Sequence, residues 1–161
     1  MIFVTLGTQR FQFDRVLKKL DELLEEGKLK KEELKVQCVY SEYVPKNFEC
    51  FKLKPQDEID RITDEADIII THSGTGSIIN SLKKQKKLII VPRLKEYGEH
   101  VDNHQTELAK LFNEKYKVPV VENMDELYEK IKKIDEYKPI KWKEKNSGLI
   151  KSIESKIDEL L

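Results

Sequence analysis

Short, almost wholly apolar runs alternate along this chain with longer stretches of helical periodicity, and that alternation leaves few folds open. Ile2–Leu6, Val36–Tyr40, Phe48–Leu53, Ile68–Ile70, Leu88–Val91 and Val118–Val121 read as strands. After the first, Phe13, Val16, Leu17, Leu20, Leu23 and Leu24 share one helical face, with Gly27 as a stop. Pro55 opens a second helix carrying Ile59, Ile62 and Ala66. Ile78, Ile79 and Leu82 mark a third, and Leu108, Leu111 and Phe112 a fourth. Strands without a polar face, each followed by a helix, predict a mostly parallel sheet covered on both sides. The expected fold is a single α/β, Rossmann-like domain.

The ends of the pattern add detail. Pro119 cannot donate to a strand ladder and puts the last strand at or near an edge. Asn123 is placed to cap the helix that follows, with Glu126 as the reciprocal partner of a capping box. Residues 137–161 read as a linker, Tyr137 to Trp142, and an amphipathic helix with Leu149, Ile150, Ile153, Ile157, Leu160 and Leu161 on one face. That face suits either a docking partner or the chain's own sheet.

A length of 161 residues suits one well-cored domain rather than two. Thirty basic and thirty acidic residues cancel, which argues against a nucleic-acid binder. Cys38 and Cys50 form no C-x-x-C pattern and are expected to stay free thiols in a reduced compartment. The opening MIFVTLGT has no basic leader, and no apolar run approaches the roughly 20 residues of a membrane span. A soluble cytoplasmic protein is expected.

Ligands of such sheets bind beyond the carboxyl ends of the strands, where helix N-termini point. Three polar segments fall there. Gly7-Thr8-Gln9-Arg10 offers a tight turn with hydroxyl and amide groups, and an ordinary strand–helix turn accounts for it equally well. Thr71-His72-Ser73-Gly74-Thr75-Gly76-Ser77 opens a helix with two glycines, which lets an anion such as phosphate approach unpaired amides. It does not complete G-x-G-x-x-G, because Ile79 occupies the third glycine's place, and this counts against a nicotinamide-dependent oxidoreductase.

The third segment, Gly98 to Gln105, crowds hydrogen-bonding side chains before a helix that Asp102 or Asn103 is placed to cap. All three histidines, His72, His100 and His104, lie in the second and third segments. His100 and His104 at i, i+4 can share a metal with His72 or Asp102; the other reading is hydrogen bonding to a sugar nucleotide.

Together, MIFVTLGTQRFQFDR, ADIIITHSGTGSIINSL and VPRLKEYGEHVDNHQTELA resemble the C-terminal, donor-binding domain of MurG-type glycosyltransferases of the GT-B class. The likeness runs over about residues 1 to 122. It is strongest to stand-alone versions of that domain, the PssE-like bacterial polysaccharide proteins and the catalytic subunit of the eukaryotic two-part N-acetylglucosaminyltransferase of the dolichol pathway. The resemblance implies a site in which Gly7, Thr8, Gln9 and Arg10 lie at the diphosphate. It also implies that His72, Ser73, Gly74, Thr75, Gly76 and Ser77 form the second phosphate-side turn, with His72 and Thr8 at the reacting group. Asn103, His104 and Gln105 resemble the segment that hydrogen-bonds the donor sugar. Where the family usually carries a Glu on the ribose hydroxyls, this chain has Asn80, which can bond a diol but without charge.

What the resemblance implies is the donor-binding, catalytic subunit of a heteromeric, inverting, metal-independent hexosyltransferase. It would move a sugar from a UDP-sugar to a lipid-linked acceptor in cell-surface polysaccharide biosynthesis, such as capsule or exopolysaccharide. No cofactor is expected, since the UDP-sugar is a substrate. The expected partner is a membrane-anchored acceptor-side subunit that holds this chain at the inner face of the membrane. A non-catalytic enhancer subunit that stabilises such a partner is the alternative.

Overall fold

Ile2–Thr5 forms β1, buried along its whole length, and its two faces feed two different cores. The computed structural model describes residues 1–137; the expected linker beyond Tyr137 and the amphipathic stripe lie outside the described residues. Chain order gives α1 (Asp14–Glu25), β2 (Leu34–Gln37), β3 (Cys50–Phe51), α2 (Gln56–Glu65), β4 (Ile68–Thr71), α3 (Thr75–Lys83), β5 (Lys87–Ile90), α4 (His104–Tyr116) and α5 (Leu127–Lys132). The strands make one sheet in the order β3-β2-β1-β4-β5, every pairing parallel, as the unbroken apolar runs predict.

Alternation along the strands divides the apolar side chains. Ile2, Val4, Val36, Ile70 and Ile89 pack with Val16, Leu17, Leu20 and Leu23 of α1 and with Leu127 and Ile131 of α5. Phe3, Ile69, Leu88 and Ile90 face the other way, onto Ile78 and Leu82 of α3 and Ala109, Phe112 and Tyr116 of α4. Each layer removes several large side chains from water, at about 1.5–3 kcal/mol apiece.

Several boundaries differ from the sequence pattern. The second strand ends at Gln37 rather than Tyr40, and β3 is two residues where Phe48–Leu53 was expected. Val118–Val121 shrinks to one parallel bridge, Ile90 to Val120: Ile90 N–H donates to the Pro119 carbonyl (3.0 Å) and Val121 N–H to the Ile90 carbonyl (2.9 Å). A proline within four residues leaves little ladder to build. Asn123 does cap, its side chain accepting from the Asp125 amide at 3.0 Å, but it starts a 3₁₀ turn, Met124–Glu126, ahead of α5. No described helix is long and apolar enough to cross a membrane.

Candidate functional site

In the strand order 3-2-1-4-5 the connections leaving β1 and β4 run to opposite sides, so the turns after these neighbours diverge and leave a crevice. A cleft of about 720 Å³ opens there, within the range of small-molecule sites. Phe3, Thr5, Gln37 and Ile69 floor it. Gln56, Ile59, Asp60 and Thr63 of α2 form one wall, and Gly76, Ser77, Asn80 and Ser81 of α3 the other. Gly7, Thr8, Gln9 and His72 close the end beneath the turns. The room exists because α2 stands off the sheet: within it only Thr63 is fully buried, and Ile59 and Ile62 are half-buried. On the floor, Thr5 Oγ1 donates to Gln37 Oε1 (2.9 Å) and Gln37 Nε2 to the Lys52 carbonyl (3.1 Å), which ties three strand ends together.

The first and second polar segments meet around His72. A β-carbon on Gly7 would lie 2.8 Å from His72 Nε2, and one on Gly74 would overlap the same ring. Gly7 also has φ +80°, the left-handed region that favours glycine. The imidazole therefore slots between two backbones that carry no side chain. Its Nδ1 is buried with no hydrogen-bond partner, and burial, with Arg93 and then His100 adding repulsion, drives its pKa down to about 3. His72 is a neutral imidazole at physiological pH. It can give or take a hydrogen bond at the cleft but brings no charge.

The positive character comes from backbone. Gly74 is the N-cap of α3 and no side chain caps the helix, so its first amides face outward with the favourable end of the helix dipole. Thr71 Oγ1 donates to the His72 carbonyl (3.0 Å) and so accepts from Ser77 Oγ (3.0 Å), which ties the turn to the first residues of α3. A β-carbon on Gly76 would meet no protein atom within 4 Å, and Gly76 lines the cleft. Thr8 and Gln9 are exposed at the rim; Arg10, also exposed, follows them without lining the cleft. Thr75 is the first residue of α3 and half-buried, whereas Ser73 is buried, its hydroxyl without a partner.

The third segment does not line the cleft. It packs behind the first turn instead. Gln105 is buried, and its Oε1 accepts from the amides of Ser73 (3.3 Å) and Arg93 (2.9 Å), stapling the ends of β4 and β5 together. Asn103, the N-cap of α4, makes no side-chain cap bond because its Oδ1 accepts from the Lys95 amide (2.9 Å); Asp102 Oδ1, one residue earlier, accepts from His104 N–H at 3.0 Å. The Asp102 carboxylate also faces His100 Nδ1 (3.0 Å) and His104 Nδ1 (3.2 Å). Among the described residues no three His, Cys, Asp or Glu side chains converge to hold a metal.

One residue that the sequence reading left in a polar loop proves central. Arg93 is 1% exposed, with its guanidinium 4.8 Å over the Phe13 ring. It donates to the carbonyls of Phe11 (2.9 Å), Glu99 (3.1 Å) and Leu6. Leu6 and Phe11 bracket the Gly7–Arg10 turn, so one side chain fixes both its ends. Burial lowers the Arg93 pKa to about 10, which leaves it charged at neutral pH. Beside it the buried Glu99 carboxylate accepts from Arg15 Nε (2.7 Å) and the Leu94 amide (3.0 Å). Arg15 continues to the carbonyls of Pro92 (2.9 Å) and Glu122 (2.6 Å). A charged fork among so many carbonyls is a strong, geometrically specific clamp.

Comparison with known proteins agrees with this architecture. Residues 1–161 match the model of the glycosyltransferase family 28 C-terminal domain. The UDP-N-acetylglucosamine transferase subunit ALG13 of Mus musculus is 35% identical over 118 residues, which cover 67% of this chain and 9% of that protein. Its Homo sapiens counterpart is 33% identical over 115 residues, 68% of this chain and 10% of that protein. The subunit of the same name from Debaryomyces hansenii is 36% identical over 66 residues, 41% of this chain and 31% of that one. The chain thus spans less than a third of each of these relatives. A solution NMR structure of ALG13 shares the fold, with a TM-score of 0.54 at 22% identity over 86% of this chain and 87% of that one. With the family model matched from the first residue to the last, this chain belongs to the C-terminal domain family of the family 28 glycosyltransferases.

Proposed function

We propose that the cleft between α2 and α3 binds a UDP-sugar, and that this chain is the donor-side, catalytic subunit of a two-part glycosyltransferase. The observation that carries the reading is the meeting of two amide-rich turns, around Gly7 and Gly74, at the switch point of the sheet and above a cleft of nucleotide size. A diphosphate seated there lies on the uncapped N-terminus of α3, next to Ser77, Thr8 and Gln9. Negative charge grows on that group as the glycosidic bond breaks, and preorganised amides stabilise it without reorganising and without a metal ion. His72, held neutral, adds a hydrogen bond rather than a charge. Transfer in this reading is a single inverting displacement at the anomeric carbon. Gln105 is spent on backbone, and its part in the sugar site is to place Ser73 and Arg93.

The acceptor side and its general base belong to a second, membrane-anchored subunit, which holds the chain at the cytoplasmic face and selects a lipid-linked acceptor in cell-surface polysaccharide synthesis. Relatives named as subunits of a UDP-N-acetylglucosamine transferase support the two-part reading and make UDP-N-acetylglucosamine the first donor to try. The test is transfer from that donor by the chain alone, by the candidate partner alone and by the reconstituted pair. Activity only in the pair, lost with Gly74→Ala, is expected. Full activity from the isolated chain would contradict the two-part reading. Activity of the pair that survives loss of UDP binding by this chain would make the chain an enhancer.

A further inference from the structure

Among the described residues, Lys54 and Asp60 are the charged ones that line the cleft, and of the two only Asp60 makes no ion pair. Lys54 Nζ sits 3.4 Å from Glu58 Oε2 and over the Phe51 ring. Asp60 is half-buried on the second turn of α2, and its Oδ1 accepts from the neutral Gln56 amide at 3.1 Å. Lys84 does not neutralise it: its Nζ bonds the Asp60 backbone carbonyl (3.3 Å) and gives its charge to Asp64 Oδ1 (2.6 Å).

A free carboxylate inside an anion's cleft must avoid the anion and serve another part of the ligand. The position of Asp60 meets that demand. The Lys84 contact sets it beside the far end of α3, where Lys84 N–H closes onto the Asn80 carbonyl (3.2 Å). From the Gly74 cap to residues 80–84 the helix rises about 9–15 Å, so Asp60 lies well clear of the phosphate end. Within uridine diphosphate, the groups beyond the phosphates that donate to a carboxylate are the uracil N3–H and the vicinal ribose hydroxyls, and only the hydroxyls come as an adjacent pair. Two hydroxyls on adjacent carbons match two oxygens on one carbon, and charge-assisted bonds of this kind are the strong ones.

We propose that Asp60 reads the ribose 2′,3′-diol, with the uncharged Asn80 opposite it on α3 completing the clamp. The assignment rests on the nucleotide reading above and makes the α2 wall, rather than α3, the source of charge at the ribose. It also orients the ligand: diphosphate at the Gly7 and Gly74 turns, nucleoside toward Gln56 and Asp60.

The experiment is calorimetric titration of the full chain with UDP and with 2′-deoxy-UDP, for the wild type, Asp60→Asn and Asp60→Ser. Losing one hydrogen bond to a charged group corresponds to about tenfold or more in affinity. The wild type is expected to prefer UDP by that factor. Both variants should prefer UDP over the deoxy compound by clearly less than the wild type does, Asp60→Ser least of all, with their melting temperatures unchanged. If the variants keep the wild-type preference, whether or not both ligands weaken, Asp60 does not read the diol. If the wild type binds neither ligand, the nucleotide reading itself fails.

Discussion

The backbone of Gly7 runs against the imidazole of His72 so closely that a β-carbon at residue 7 would lie 2.8 Å from Nε2. The contact joins the turn after β1 to the turn after β4, and the φ of +80° at Gly7 belongs to the same arrangement. Gly7→Ala should therefore cost about 1–3 kcal/mol, from a left-handed alanine and a displaced ring together. UDP binding should fall with it. Urea denaturation and calorimetry on the one variant measure both effects.

Gly76 makes the opposite prediction. It is helical, and an added methyl meets no protein atom, so alanine should leave the fold unharmed or stabilise it by about 0.5–1 kcal/mol. The same methyl projects into the cleft that Gly76 lines. Gly76→Ala should raise the melting temperature slightly and weaken UDP binding at least tenfold, the loss of roughly 1.4 kcal/mol. A variant that is more stable and binds as well as the wild type would mean that no ligand comes close to this turn.

Arg93 holds the carbonyls of Leu6, Phe11 and Glu99 in a buried setting. Lysine keeps the charge and loses the planar fork, so Arg93→Lys is not conservative here. Loss of about two of these bonds should destabilise the domain by about 3 kcal/mol, a fall in melting temperature on the order of 10 °C. Thermal unfolding followed by circular dichroism checks it.

His72 gives a pH signature with a definite sign. Its pKa of about 3 lies below the 6.5 of an unfolded histidine. Above about pH 6.5 neither state takes the proton and stability is complete. Below it the unfolded chain binds a proton that the folded chain refuses, so stability falls as pH drops toward about 3. Between pH 7.5 and 5 the wild type should lose about 2 kcal/mol more than His72→Gln, read from denaturant midpoints at the two pH values.

Much of this fold was legible in the sequence because β1, β4 and β5 are buried on both faces and show no polar alternation. The glycine turns were legible too, since strand ends in a parallel sheet are where such turns act. Arg93 was not: at the head of a polar loop an arginine reads as surface, and only the packed turns reveal carbonyls from three separate places around it. Asp60 was hidden for a related reason. Ile59, Ile62 and Ala66 describe an ordinary amphipathic helix, and nothing in that spacing tells that α2 stands off the sheet and turns Gln56, Asp60 and Thr63 into a wall. Gln105 shows the converse. Its neighbourhood read as a binding segment, yet its carbonyl oxygen serves two backbone amides.

The central claim is that the turns at Gly7 and Gly74 hold the diphosphate of a nucleotide sugar. An amide-resolved NMR titration with UDP tests it most directly. The account predicts saturable shifts concentrated at Gly7–Gln9, Gly74–Ser77 and the Asp60 turn of α2, with the α5 side of the sheet unmoved. No saturable shift, or shifts confined to residues outside this cleft, would contradict it.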